Sequence, residues 1–397
     1  MIATILADGV QVSVALITIP FLLFAGADLS AEGTIAVAPL AVGLALGALG
    51  SWLVERLTVR LPPARILQVI EAAQILAVGW LIVAASLGHV LVVQACLAAA
   101  LARMSGPAKD AVRAAIITPE RRPGLGRTMG RVFFLATEVS IALATVIITL
   151  VPRDQRYLPL LLALGASAAG IMSSWSLRCP AGGPGARRTG PRHHGRRGLA
   201  QLAVPFLLVI VLGLGSGLPT VGLAAWITRW EAVPAWTISV MSLACLTAYL
   251  LLIRVLDSRM RSVPGTLAHL HRLGSLLLAA GLIGTWCAVR YIAAPAGLFL
   301  LAASLISSAL AFSIAALIAL ELPARCGVSP RAVRAALGLA TAAGALVAPG
   351  IFLGGGHIFA VALFLAVALP LLPPAATGLP GREGHPREVR PGQHSSC

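Results

Sequence analysis

RCPAGGPGARRTGPRHHGRRG, Arg178 to Gly198, stands almost at the middle of a chain of 397 residues. It carries six arginines, two histidines and no acidic residue. Intensely apolar sequence flanks it on both sides. A basic break rich in Gly and Pro reads either as a patch for nucleic acid or acidic lipid, or as the hinge between two membrane-embedded halves. The distribution of the other charges decides between them.

Hydrophobic residues make up 58% of the chain and charged residues 11%, against about a quarter charged in a soluble domain. Apolar runs of about twenty residues recur along the whole length, each enough to cross a hydrocarbon core of ~30 Å as a helix. The net charge of +16 would point to nucleic acid in a soluble protein. With the N-terminus inside, however, 26 of the 30 basic residues, Lys109 among them, fall in inner loops, helix ends and the tail, and only Arg153, Arg156, Arg229 and Arg290 fall outside. The positive-inside rule, acting loop by loop, explains the charge as topology. No nucleic acid is needed as a partner, and the inner arginines are placed to meet anionic lipid heads.

The six cysteines are scattered without a C-x-x-C pair, so neither a disulfide framework nor a zinc site is expected. The first apolar run has no basic n-region and contains Asp8, which reads as a first span rather than a cleaved signal. There is no H-E-x-x-H, P-loop or G-x-S-x-G. Ser167, in Gly165-Ala-Ser167, has no histidine in a nearby span to activate it. Neither an enzyme nor a cofactor is expected.

Twelve spans are expected: Ile2–Ala25, Thr34–Val54, Ile66–Ser86, Val90 into the Arg103 region, Thr128–Val151 and Tyr157–Leu177, then Leu199–Trp226, Val233–Ile253, His269–Val289, Ile292–Leu320, Arg334–Phe352 and His357–Leu372. The fold class is therefore an all-α polytopic membrane protein with 12 transmembrane helices in two six-helix bundles. The expected domains are residues 1–177 and 199–373, joined by a basic cytoplasmic linker, 178–198, and followed by a disordered cytoplasmic tail, 374–397. The loop after span 2, WLVERLTVRLPPARIL, is echoed after span 8 by LLIRVLDSRMRSVPG. Each sets an acid, Glu55 or Asp257, beside arginines, as in transporters built from two parallel repeats.

Over essentially its whole length the chain resembles the major facilitator superfamily. Gly50, Glu55, Arg56, Arg60 and Arg65 resemble its loop motif after helix 2. RMSGPAKDAVRAAIITPE, Arg103 to Glu120, is similar to the end of helix 4 and the next loop in its multidrug-type exporters, with Gly106, Pro107, Ala108, Lys109, Ala111 and Pro119-Glu120 in place. The resemblance implies a transporter working by alternating access, and it sets Arg103 beside the arginine that the family keeps near the proton site in helix 4. Helix 5 has Gly130 but lacks the Gly-Pro pair common in exporters.

An ionisable group in a bilayer costs about 2.5–3.5 kcal/mol on insertion scales, so each one needs a reason. Asp8 shares a helix face with Gln11 and Thr18, a polar stripe fit to line a proton or cation site, unless the helix begins late and Asp8 merely flanks it. Glu138 shares a face with Arg131, Thr145 and Thr149. A carboxylate at such depth is disfavoured in its charged form and can exchange a proton, or it can lock helices together in a structural pair with Arg103 or Arg131. Glu71, between Gln68 and Gln74, reads rather as a partner for loop arginines. In the second half, Ser216, Thr220, Trp226, Trp236, Ser304, Ser307 and Ser308 are the expected cavity wall. The expected function is proton-coupled export of a small apolar or cationic compound by a monomer in the cell membrane with both termini cytoplasmic. Asp8, Gln11, Arg103 and Glu138 form its substrate and proton site. Uptake by proton symport, or a non-transporting scaffold on the same fold, are the alternatives.

Overall fold

The computed structural model describes residues 2–25, 33–89, 91–116, 122–175, 266–290 and 330–353, and scattered helical positions and short runs between 210 and 314. The basic linker, the tail and most of expected spans 7, 8, 10 and 12 lie outside the described residues, as do Ser216, Thr220, Trp226 and Trp236. Among the described residues there is no strand. The long helices are α1 (Ile2–Ala25), α2 (Gly33–Arg60), α3 (Pro63–Ser86), α4 (Val92–Ile116), α5 (Arg122–Leu150), α6 (Leu160–Trp175), α7 (Thr266–Arg290) and α8 (Pro330–Leu353). α7 and α8 coincide with expected spans 9 and 11.

Among the described residues, the helices carry large apolar side chains outward as well as inward. On α3 the exposed side chains include Val69, Leu76, Trp80 and Val83, which recur at helical spacing on one apolar face. Its buried face carries Leu67, Ile70, Glu71, Gln74, Val78 and Leu81. An apolar exterior around a partly polar interior suits hydrocarbon as solvent, and it places these helices in a membrane.

Several boundaries differ from the expected ones, each for a local reason. α2 runs on to Arg60 and α3 begins at Pro63, so only Leu61 and Pro62 intervene. Pro63 sits at the first helical position, where its missing N–H costs nothing. Most of the supposed loop motif is therefore helical: Gly50 and Glu55 lie within α2, Arg65 lies in the first turn of α3, and the Arg56 guanidinium stacks 3.6 Å over the Trp52 ring. α4 continues through Pro107 to Ile116, so Lys109 and Asp110 belong to a helix rather than a loop. A membrane helix tolerates an interior proline when neighbours satisfy the freed carbonyl. α5 begins at Arg122, ahead of the expected start at Thr128. α3 stops where Gly88 takes φ +69, a left-handed position natural only to glycine.

α2 packs along α4 on one side and α8 on the other; α1 packs on α5, α6 and α4, and α3 on α4 and α6. The α2–α4 contact is backbone-close. A Cβ on Gly43 would stand 2.4 Å from Cys96 O, and one on Gly47 would stand 2.7 Å from Ala100 O. Small residues let membrane helices approach where lipid provides no hydrophobic drive. The Ser51 hydroxyl donates to Gly47 O at 2.7 Å and lies 3.2 Å from Arg103 O, tying the same pair together.

Candidate functional site

The most polar part of the described interior lies between α1, α3, α4 and α6. Gln11, Glu71, Ser105, Lys109 and Ser167 meet there, and none of the five has any solvent exposure. Lys109 Nζ stands 3.0 Å from Glu71 Oε1, an ion pair rather than an aligned hydrogen bond. The ammonium also donates to Gln11 Oε1 at 2.5 Å and to Ser105 Oγ at 3.1 Å.

Gln11 is the hub. Its amide nitrogen donates to Glu71 Oε2 and, at 2.6 Å, to Ser167 Oγ. With both donors committed, the amide oxygen is turned to the ammonium, the orientation its chemistry requires. The Ser105 hydroxyl donates to Ala102 O at 2.9 Å, which leaves its lone pairs for Lys109. Gly170 on α6 makes room: a Cβ there would lie 3.2 Å from Glu71 Cδ. Burying each ion costs several kcal/mol, so the pair persists through the surrounding hydrogen bonds rather than through Coulomb attraction alone.

Of the residues singled out from sequence, Gln11 stands in this cluster. Asp8 lies within α1, one turn before Gln11, so the helix does not begin late; its side chain is outside the described residues. Glu138 is buried on α5, a helix not among the four that build the cluster. On its expected face, the Thr145 and Thr149 hydroxyls bond back to Ile141 O and Thr149's own helix at Thr145 O, and the Arg131 side chain is outside the described residues. Arg103 turns away, toward α2 and α8: its Cβ would stand 2.6 Å from a Cβ on Gly47, and its Nη2 3.3 Å from one on Gly338.

Two expectations are corrected. The partner of Glu71 is Lys109, not a loop arginine, because α4 stays helical past Pro107 and brings Lys109 inward beside α3. Ser304, Ser307 and Ser308 join helices rather than wall a cavity. Ser307 donates to Leu277 O at 2.6 Å, and Cβ atoms on Gly284 and Gly281 of α7 would collide with the Ser304 and Ser308 hydroxyls. Gly50, within the expected second span, packs on Met104. One signal in the sequence marks the missed residue: Lys109 is the only lysine in the chain, the other 29 basic residues being arginines. An ammonium on a flexible stem can be surrounded by single oxygens, whereas a guanidinium demands a planar fork.

No family model and no curated protein sequence matches the chain. Solved structures do. It superposes on a peptide transporter POT in complex with sulfate, at 13% identity with 94% of each chain covered and a TM-score of 0.70. A D-xylose-proton symporter aligns at 13% identity over 93% of this chain and 95% of that one, TM-score 0.71. The xylose transporter XylE from E. coli, inward open, aligns at 14% identity over 93% and 94%, TM-score 0.68. The fold is that of the major facilitator superfamily transporters, a class of multi-pass membrane proteins.

Proposed function

We propose that this chain is a secondary transporter working by alternating access, in which bundles 1–177 and 199–373 rock about a site between them, tethered by the basic linker 178–198 with the tail 374–397 on the same cytoplasmic side. The supporting observation is the buried Lys109–Glu71 pair with its amide and hydroxyl partners inside a helical bundle whose outside is apolar. Charges at such depth mark ion and substrate pathways more often than they mark stability. Contacts across the two halves, α2 against α8 and Ser239 Oγ donating to Ala142 O of α5 at 3.0 Å, supply surfaces that can rock.

The reading we favour is proton-coupled export of a small apolar or cationic compound by a monomer, with Asp8, Gln11, Arg103 and Glu138 handling proton and substrate. Uptake by symport is the second reading, supported by the likeness to a D-xylose-proton symporter. In inverted vesicles, proton release that depends on added compound supports antiport. Proton movement in the same direction as the compound supports symport. No flux of either kind across a broad panel of compounds points to a scaffold. A cysteine placed at Arg187 is expected to react from the cytoplasmic side, and reaction from outside overturns the orientation.

A further inference from the structure

Among the described residues, oxygens from three helices converge on the Lys109 ammonium: Glu71 Oε1 of α3 at 3.0 Å, Gln11 Oε1 of α1 at 2.5 Å and Ser105 Oγ of α4 at 3.1 Å. One is a carboxylate oxygen, one an amide carbonyl and one a hydroxyl. Hard oxygen donors that include a carboxylate are the ligand set of a site for a hard cation. Gln11 is aimed by its amide donations to Glu71 Oε2 and Ser167, the first of which also fixes the Glu71 carboxylate, and Ser105 by its donation to Ala102 O. The cage is organised around the positive charge rather than around the lysine stem.

We infer that this cluster is a seat for a monovalent cation, which the chain fills with the ammonium of its own lysine. In the native chain the seat is closed to alkali metal because a tethered cation holds it. Remove the tether and the same oxygens take potassium or a small primary alkylammonium, ions of the size and charge that N···O separations of this length accommodate. The inference concerns binding at rest, and it stands whether or not the chain transports.

The test uses the full-length chain in detergent, with thermal unfolding followed in potassium chloride, n-propylammonium chloride and choline chloride at equal ionic strength. A ion that binds the folded state alone raises its midpoint in proportion to occupancy. The native chain is expected to unfold at one midpoint in all three salts. Lys109→Ala is expected to unfold earlier in choline and to recover several degrees, saturably, in potassium and in propylammonium. Adding Glu71→Gln is expected to abolish that recovery. A midpoint for Lys109→Ala that is equal in the three salts overturns the inference, as does a potassium effect that survives Glu71→Gln. Where Lys109→Ala gives no folded protein in choline, the yield of monodisperse protein is read instead: a gain in potassium supports the seat, and equal loss in both salts overturns it. Lys109→Met fills the stem's space without the charge, and a potassium response in that variant also counts against the assignment. None of these readouts depends on flux, so they and the vesicle assay fail independently.

Discussion

Lys109 Nζ lies 3.0 Å from Glu71 Oε1, with neither side chain in contact with solvent. The two residues sit on adjacent helices, α3 and α4, and share the amide of Gln11 as a common partner. Removing one takes from the other the charge it is paired with, and removing both takes the pair away whole. Glu71→Gln or Lys109→Met alone is expected to cost about 3–5 kcal/mol of stability. The double variant is expected to cost clearly less than the sum, giving a coupling energy of about 1–3 kcal/mol in a double-mutant cycle by thermal unfolding. Strict additivity would mean that the pair does not interact.

The close α2–α4 contact predicts opposite outcomes for two glycines. Gly47→Ala sets a Cβ 2.7 Å from Ala100 O, backbone that cannot step aside, and is expected to destabilise by about 1–3 kcal/mol. Gly79→Ala on α3 meets nothing within 4 Å and is expected to stabilise by about 0.5–1 kcal/mol through helix propensity alone. The two midpoints, measured side by side, should move in opposite directions.

Across the halves, a Cβ on Gly338 would stand 2.8 Å from Ala48 Cβ. Cysteines at both positions, in a background free of the native six, are expected to cross-link after slight separation to the usual Cβ–Cβ distance of about 3.8 Å. Locked together, α2 and α8 cannot part. Transport should therefore stop on oxidation and return on reduction. Undiminished flux in the oxidised protein would show that this contact does not open in the cycle.

Glu138 and Glu71 give distinguishable outcomes in the vesicle assay. With Glu138 as the coupling carboxylate, Glu138→Gln abolishes proton movement while leaving the thermal midpoint close to that of the native chain. Unchanged coupling in Glu138→Gln, together with its loss in a folded Glu71→Gln variant, would transfer the role to α3.

Much of the helical plan was legible in the sequence. α1 falls on the expected span, Ile2–Ala25, and α3, α7 and α8 differ from theirs by a few residues at their ends, because long apolar runs in a bilayer have few alternatives to helix. The ends of α4 and α5 were misread because Pro107, Pro123 and a cluster of arginines look like loop chemistry, and only neighbouring helices decide whether a proline is tolerated. The site was half legible. The polar face of α1 picked out Gln11, while Lys109 was read only as an inner basic residue and as part of the exporter-like motif, although its side-chain type set it apart.

Sequence alone determined an apolar, helical, membrane-embedded chain, because those properties follow from local composition and the cost of placing charge in hydrocarbon. Only the tertiary structure decided which polar side chains meet. Gln11, Glu71, Lys109 and Ser167 lie as much as 156 residues apart, and their contact depends on how closely α1, α3, α4 and α6 approach and at what relative depth. Those are packing quantities that no single helix encodes.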